Sequence, residues 1–332
     1  MKRLIGLGLA ALTSIAGARV FGAHEVKSTA EYFGTCDASA AVALDAHRFL
    51  LGSDEDSKLR LYDLREPGPP RQTFDLAPVL ELDTKSPETD LEAAVRVGER
   101  VYWIGSHGRN LNGKERASRQ RFFATRLDRT ASGFDVRLEG RPYKDLLHDL
   151  EADPRLLRFR LSAAAQLAPK DKGGLAIEGL CDTPDGHLLI GFRNPIRDGC
   201  ALVVPLLNPD RVIAGERARL GDPVTLDFGG LGVRDFVRDG TRYFIIAGPF
   251  GSGGKFRFYE WGGPGTKPTL LDWKAPKKWS PEALVLFPGA WPERIFVVSD
   301  DGTRDVDGCD CKFLPDPAKR RFRAGWIKTG LP

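Results

Sequence analysis

The stretch "LEAAVRVGERVYWIGSHGR" (Leu91–Arg109) decides the fold. It reads as a short apolar strand, a charged turn containing Gly98, and a stronger apolar strand that stops abruptly in Ser, His, Gly and Arg. Taken alone it is a β-hairpin. The chain repeats it as "ASAAVALDAHRFLLGSDED" (Ala38–Asp56), "IEGLCDTPDGHLLIGFRNP" (Ile177–Pro195), "VRDFVRDGTRYFIIAGPFG" (Val233–Gly251) and "PEALVLFPGAWPERIFVVSDDG" (Pro281–Gly302). A third strand follows each unit: "KLRLYDL", "QRFFATRL", "ALVVPLL", "KFRFYEW" and "RRFRAGWI". Three units show a fourth, in "RQTFDLAPVLEL", "PVTLDFGG" and "PTLLDW". Recurrence of this kind is the mark of a β-propeller built from four-stranded antiparallel blades.

Taking Ser39, Glu92, Glu178, Asp235 and Glu282 as markers, the intervals are 53, 86, 57 and 47 residues. Three of them suit one blade each. The long one holds "PYKDLLHDLEADPRLLRFRLSAAAQL", whose leucines predict one or two short helices broken near Pro154. It reads as a partly helical insertion at about 140–172, with "FDVRLEG" as a degenerate fourth strand. Five blades account for every clear repeat; "RLLRFRLSA" leaves a sixth open. A propeller needs its free edges closed. The last blade is one strand short, and "STAEYFGT" (Ser28–Thr35) can supply it from the N-terminus. The expectation is therefore an all-β, single-domain propeller over residues 28–332. A β-sandwich is the rival, but it gives no reason for the same polar cluster to return in each unit.

Residues 1–23, "MKRLIGLGLAALTSIAGARVFGA", have a basic start, a short apolar run and small residues after it, the pattern of a secretory signal peptide. The expected location is periplasmic or secreted, with no membrane association after cleavage. The formal net charge is +4, but Lys2, Arg3 and Arg19 leave with that segment, so 46 basic residues then face 45 acidic ones. A nearly neutral domain offers no electrostatic case for nucleic acid. The five cysteines, Cys36, Cys181, Cys200, Cys309 and Cys311, lack the spacing of a zinc or redox motif. A bridge from Cys36 to Cys309 or Cys311 would join the two ends of a closed ring; buried free thiols are the alternative.

In a meander blade the entry to the first strand and the exit from the second share one end. Glu92, Glu178, Asp235 and Glu282 should therefore surround one mouth of the central channel. Asp54, His107, Arg109, Arg193, Asn194 and Asp300 should stand beside them. Like charges so gathered need an offset. One candidate is Ca²⁺ held by Glu92, Glu178, Asp235 and Glu282, since a hard cation takes oxygen ligands. Under the enzymatic reading His107, Glu178 and Arg193 are the candidate catalytic residues: carboxylates and a histidine activate water while arginines hold an anion. Asp54, Arg109, Asn194, Arg234 and Asp300 are then candidate ligand contacts. The other reading is a monomeric propeller that binds a small anion or a protein partner without turnover, its central charges forming a structural salt-bridge network.

The motifs "SDEDSKLRLY", "DLEAA", "YWIGSHGRN", "IEGL", "LLIGFRNP", "VRDF", "YFIIAGP", "PEAL" and "VVSDDG" together resemble the DUF3616 family, a domain of unknown function. The resemblance runs from about Cys36 to Trp326. More broadly, the "EGL" unit is similar to those of exported esterase-like phytases and related propeller proteins. That resemblance implies a propeller fold and a phosphate-ester or calcium connection, with Glu178 as the best-matched position.

Overall fold

The second strand of each repeat is apolar at nearly every position, which suits a strand buried on both faces. The computed structural model, which describes residues 29–130 and 133–331, shows why. Five four-stranded antiparallel sheets stand side by side around a central axis. Alternate residues of each second strand enter opposite interfaces. Phe49 and Leu51 pack toward blade five while Leu50 packs toward blade two. Likewise Tyr102 and Ile104 face blade three, whereas Val101 and Trp103 face blade one. The core is thus five inter-blade layers rather than one centre.

Strand β1 (Thr29–Phe33) comes first in the chain but belongs to the last blade. Blade one is β2 (Ala38–Ala43), β3 (Arg48–Ser53), β4 (Lys58–Asp63) and β5 (Gln72–Asp75). Blade two is β6 (Leu91–Val97), β7 (Arg100–Gly105), β8 (Phe122–Thr130) and β9 (Gly133–Tyr143). Blade three is β10 (Ala176–Asp182), β11 (Leu188–Asn194), β12 (Cys200–Leu206) and β13 (Val224–Asp227). Blade four is β14 (Gly232–Asp239), β15 (Arg242–Gly248), β16 (Arg257–Trp261) and β17 (Thr269–Leu271).

Blade five is β18 (Pro281–Val285), β19 (Arg294–Ser299), β22 (Arg321–Lys328) and, outermost, β1, in the order β1-β22-β19-β18. A small hairpin, β20 (Asp305–Val306) with β21 (Cys309–Asp310), intervenes before β22. The expected N-terminal closure is present. Thr29 to Phe33 register against Gly325 to Arg321, so the last blade is completed from the other end of the chain. Tyr32 fixes this join by packing its ring against Phe49, Tyr62 and Phe322.

The stretch "RLLRFRLSA", which left a sixth blade open, forms no strand. It falls in a 3₁₀ turn at Pro154–Phe159 and in α2 (Leu161–Ala164), after α1 (Leu146–Ala152). Leu146, Leu150, Leu156 and Phe159 bury against blades two and three. Among the described residues no further four-stranded sheet occurs, and no helix is long and apolar enough to cross a membrane. The proposed export segment, 1–23, lies outside the described residues.

One irregularity recurs in all five innermost strands. Their pairing with the second strand skips one residue: Ser39, Glu92, Glu178, Arg234 and Glu282. Each is a β-bulge near the start of the strand. A bulge re-aims the extra side chain away from the regular alternation. This device builds the site.

Candidate functional site

The bulged residues of blades two to five gather at one mouth of the channel, whereas Ser39 of blade one spends its hydroxyl on the Leu91 carbonyl. The five comprise one serine, three glutamates and one arginine. A funnel of about 250 Å³ opens there, lined among others by Asp37, Asp54, Glu92, Arg193, Arg234, Glu282 and Asp300. Glu178 lies deeper, and its residue is only 1% exposed.

Arg234 dominates the floor. Its Nε donates to Glu282 Oε2 at 2.7 Å, its Nη2 reaches Glu282 Oε1, and its Nη1 stands 3.0 Å from Glu178 Oε2. Arg193 forms an ion pair with the other oxygen of Glu178. Arg193 is extruded as well: β11 skips it between Phe192 and Asn194 where β10 runs on from Ile177 to Ala176. The floor is therefore a chain of alternating charge, Arg193–Glu178–Arg234–Glu282, buried and internally paired. Burial raises the Glu282 carboxyl to about 8, even with Arg234 pulling it down.

Toward blades one and two the balance changes. Asp37, Asp54 and Glu55 bring one oxygen each within 4.8 Å of one another, and so do Asp54, Asp90 and Glu92. Asp54 belongs to both groups, and its Oδ1 is buried without a hydrogen-bond partner. On this side the Arg119 guanidinium is engaged by Asp90 at 2.9 Å and by Glu88, while Lys312 and Arg320 act on Asp37. Burial, with Asp300 and Glu55 nearby, raises Asp37 to about 8. Burial, with Asp37 and Glu92 nearby, lifts Asp54 well above the carboxylate range. Glu92 is raised by burial and by Glu178. Glu92, Glu178 and Glu282 form a third group within 4.8 Å, but the arginines already engage two of its members. These carboxylate groups could hold a divalent cation, and in the first two only Asp90 is ion-paired among the described residues.

Several residues expected at the mouth are elsewhere. Asp235 is not in the ring. The bulge falls on Arg234, so Asp235 occupies the position taken by Ala40, Ala93, Gly179 and Ala283 in the other blades. It turns into the interface with blade five, accepting the Leu284 N–H at 2.7 Å. Ser106 lines the funnel, and His107, next in the chain, faces away from it. His107 has φ of 57° and is nearly fully buried. Its Nδ1 lies 2.9 Å from Gly105 O, which assigns the proton to that nitrogen. Burial pushes its pKa down to about 4, leaving a neutral ring that serves no funnel chemistry.

Arg109 is likewise outside. It donates to the carbonyls of Ala165 (2.8 Å) and Gly113 (3.1 Å) and to Gln166 Oε1 (2.6 Å), binding the helical insertion to blade two. Asn194 does not line the funnel either. Its amide donates to the carbonyls of Pro169 (3.0 Å) and Asp171 (2.7 Å). By gripping both neighbours of Lys170 it holds that lysine at the rim, a positioning role.

The structure adds Asp37, Glu88, Asp90, Arg119, Lys170 and Lys312 to the lining. Asp37 and Asp90 each precede a bulged residue by two positions, a spacing that was legible. Arg119, Lys170 and Lys312 come from loops with no repeat to mark them. Cys36 and Cys311 form a disulfide. Each immediately precedes a funnel residue, Asp37 and Lys312.

Residues 124–270 match the profile of DUF3616, described as a protein of unknown function. This is the family that the strand-end motifs resemble. The matched stretch runs from β8 to β17 and carries Glu178, Arg193 and Arg234. No curated protein matches the sequence. Among solved structures, a glutaminyl cyclase from Myxococcus xanthus is similar at 12% identity and a TM-score of 0.46, over 90% of this chain and 94% of that one. A GH43_1 enzyme from Xanthomonas citri aligns at 14% identity and 0.41, over 80% and 82%. A virginiamycin B lyase from Staphylococcus aureus aligns at 8% and 0.36, over 83% and 68%. Likeness this distant fixes neither activity nor substrate.

Proposed function

We propose that this propeller is an exported protein whose funnel binds Ca²⁺ in its acidic half, and that the bound ion presents a small anionic ester, such as a phosphate ester, for hydrolysis. The observation that carries the cation is Asp54: a buried, unpartnered carboxylate oxygen shared by two groups of three acids. Hard cations outside the cytoplasm are taken by such oxygen sets. Asp54, Asp90 and Glu92 would hold the ion, with Asp37 and Glu55 on its other side. The Arg193 Nε is also buried without a partner, and Lys170 and Lys312 reach the same opening, so donors for an anion share the funnel with the acids. An ionised carboxylate beside the ion would take the proton from an attacking water, and the rim cations would stabilise charge on the ester oxygens. The Cys36–Cys311 disulfide supports export, since such bonds persist in oxidising compartments.

The non-catalytic reading keeps a place for one part of the funnel. The Arg193–Glu178–Arg234–Glu282 chain is closed by its own pairs and serves as a structural floor.

The test is a pair of melting curves, in chelator and in millimolar Ca²⁺. At a hundredfold excess over Kd, binding to the folded state adds about 2.7 kcal/mol, which corresponds to roughly 4 °C in Tm for a chain of this size. Asp54→Asn should abolish that gain. Superimposable curves for the unmodified protein would overturn the calcium reading. A panel of phosphate and carboxylate esters, assayed with Ca²⁺ on the native chain and on Asp54→Asn, then tests turnover; equal rates for both would remove the funnel from the chemistry.

A further inference from the structure

A second cavity lies outside the funnel, at the outer end of blade four where the chain crosses to blade five. It encloses about 540 Å³. That is within the range of about 300–1,000 Å³ for small-molecule sites. Phe256, Leu270, Trp273 and Trp279 give it an apolar wall. Its two tryptophans are held in place. Trp273 stacks on Phe244, with centroids 5.5 Å apart and planes at 16°, and its Nε1–H donates to Thr329 O at 2.7 Å. Trp279 has the Arg323 guanidinium 5.6 Å from its ring centroid.

The charges around this crevice are one-sided. Lys255, Arg257, Lys274 and Lys277 line it against the single carboxylate of Asp272. Lys274 pairs with Asp272 at 3.1 Å. Among the described residues, Lys255, Arg257 and Lys277 form no ion pair. Three uncompensated cations around a rigid aromatic wall select an anion with a flat apolar body.

We propose that this crevice is a binding site for an amphipathic small molecule, an aromatic or similarly flat body bearing a carboxylate or sulfonate. The body lies against Trp279, Trp273 and Phe256, and the anionic group meets Lys255, Arg257 and Lys277. Phe256 also lines the funnel, where Arg234 stands 5.9 Å from its ring centroid, so one side chain forms a wall of both spaces. The proposal does not depend on calcium in the funnel.

A fluorescence titration with 8-anilinonaphthalene-1-sulfonate tests it, because that dye is an apolar ring system carrying one sulfonate. The expected result is saturable one-site binding to the native protein. Its uncharged analogue N-phenyl-1-naphthylamine should bind more weakly. The Lys255→Ala/Lys277→Ala double variant should raise Kd about tenfold through loss of two charge contacts. Both lysines are exposed and unpaired, so the fold does not rest on them. Leu270→Glu, which adds a carboxylate at an exposed wall position, should weaken binding further, and Asp54→Asn should leave it unchanged. Equal affinity for the uncharged analogue, an unchanged Kd in the double lysine variant, non-saturable fluorescence, or a loss caused by Asp54→Asn would each overturn the proposal.

Discussion

Replacing Arg234 by methionine should destabilise the protein by about 3–5 kcal/mol at pH 8.5, where Glu282 is ionised, the usual result of removing one partner from a buried ion pair. Arg234 is the middle link of the floor, holding Glu282 with two contacts and Glu178 with a third. Without it both glutamates remain buried, and only Arg193 is left to Glu178. The methionine fills much of the vacated space, so the loss reports charge more than cavity. It should also depend on pH. The Glu282 carboxyl is raised to about 8 in the folded protein, from an ordinary value of 4.5. Stability linked to such a group is fully present below about 4.5 and is lost as pH climbs through 8. Removing Arg234 takes away the one strong influence that lowers this pKa, so the deficit should widen from pH 5 to pH 8.5. Urea midpoints at the two pH values measure it. Arg234→Met/Glu282→Gln should recover part of the loss by removing the stranded charge. If the single variant unfolds at the native midpoint at pH 8.5, the paired floor is not a stability element.

The propeller was legible because its physics is written into single strands. "YFIIAG" and "IFVVS" are apolar at consecutive positions, which only a strand covered on both faces requires, and five recurrences left little choice of architecture. The acids of the mouth were legible through their place at strand entries. What could not be read was the register. In "VRDF" the acid, Asp235, drew attention, yet the extruded residue is its neighbour Arg234. A bulge depends on cross-strand pairing and leaves no signature in composition. The apolar residue before each extruded side chain (Leu91, Ile177, Val233) was the better guide in those blades. His107 was misplaced for a related reason. One residue of alternation separates Ser106, which faces the funnel, from His107, which does not. Lys170, Lys312 and Arg119 come from an insertion, the 3₁₀ turn after a hairpin and a long loop, where no periodicity exists to place a side chain.

Removing the disulfide with Cys36→Ser/Cys311→Ser should lower stability by about 2–5 kcal/mol, by restricting the unfolded chain less. The two cysteines are 275 residues apart, so the bond closes nearly the whole ring on itself. Chain-entropy arguments assign larger effects to longer loops, though strain and residual structure temper them. A second clasp already joins the ends, since β1 completes blade five beside β22. The two are not redundant in position. The strand closes the rim of the sheet, whereas the disulfide closes the funnel, because Asp37 and Lys312 directly follow the bonded cysteines in the chain. Loss of the bond should therefore act twice: it should lower the urea midpoint, and it should shrink the calcium-dependent gain in Tm by loosening Asp37. The Asp37 carboxyl reaches the backbone of Gly302 so closely that a side chain there would collide with it, which shows how tightly blade one is set against the turn after β19. Reduction of the native protein should reproduce both effects. A double variant that keeps the native midpoint would show that β1 alone closes the ring. One that loses stability but keeps the full calcium gain would separate closure of the ring from assembly of the funnel.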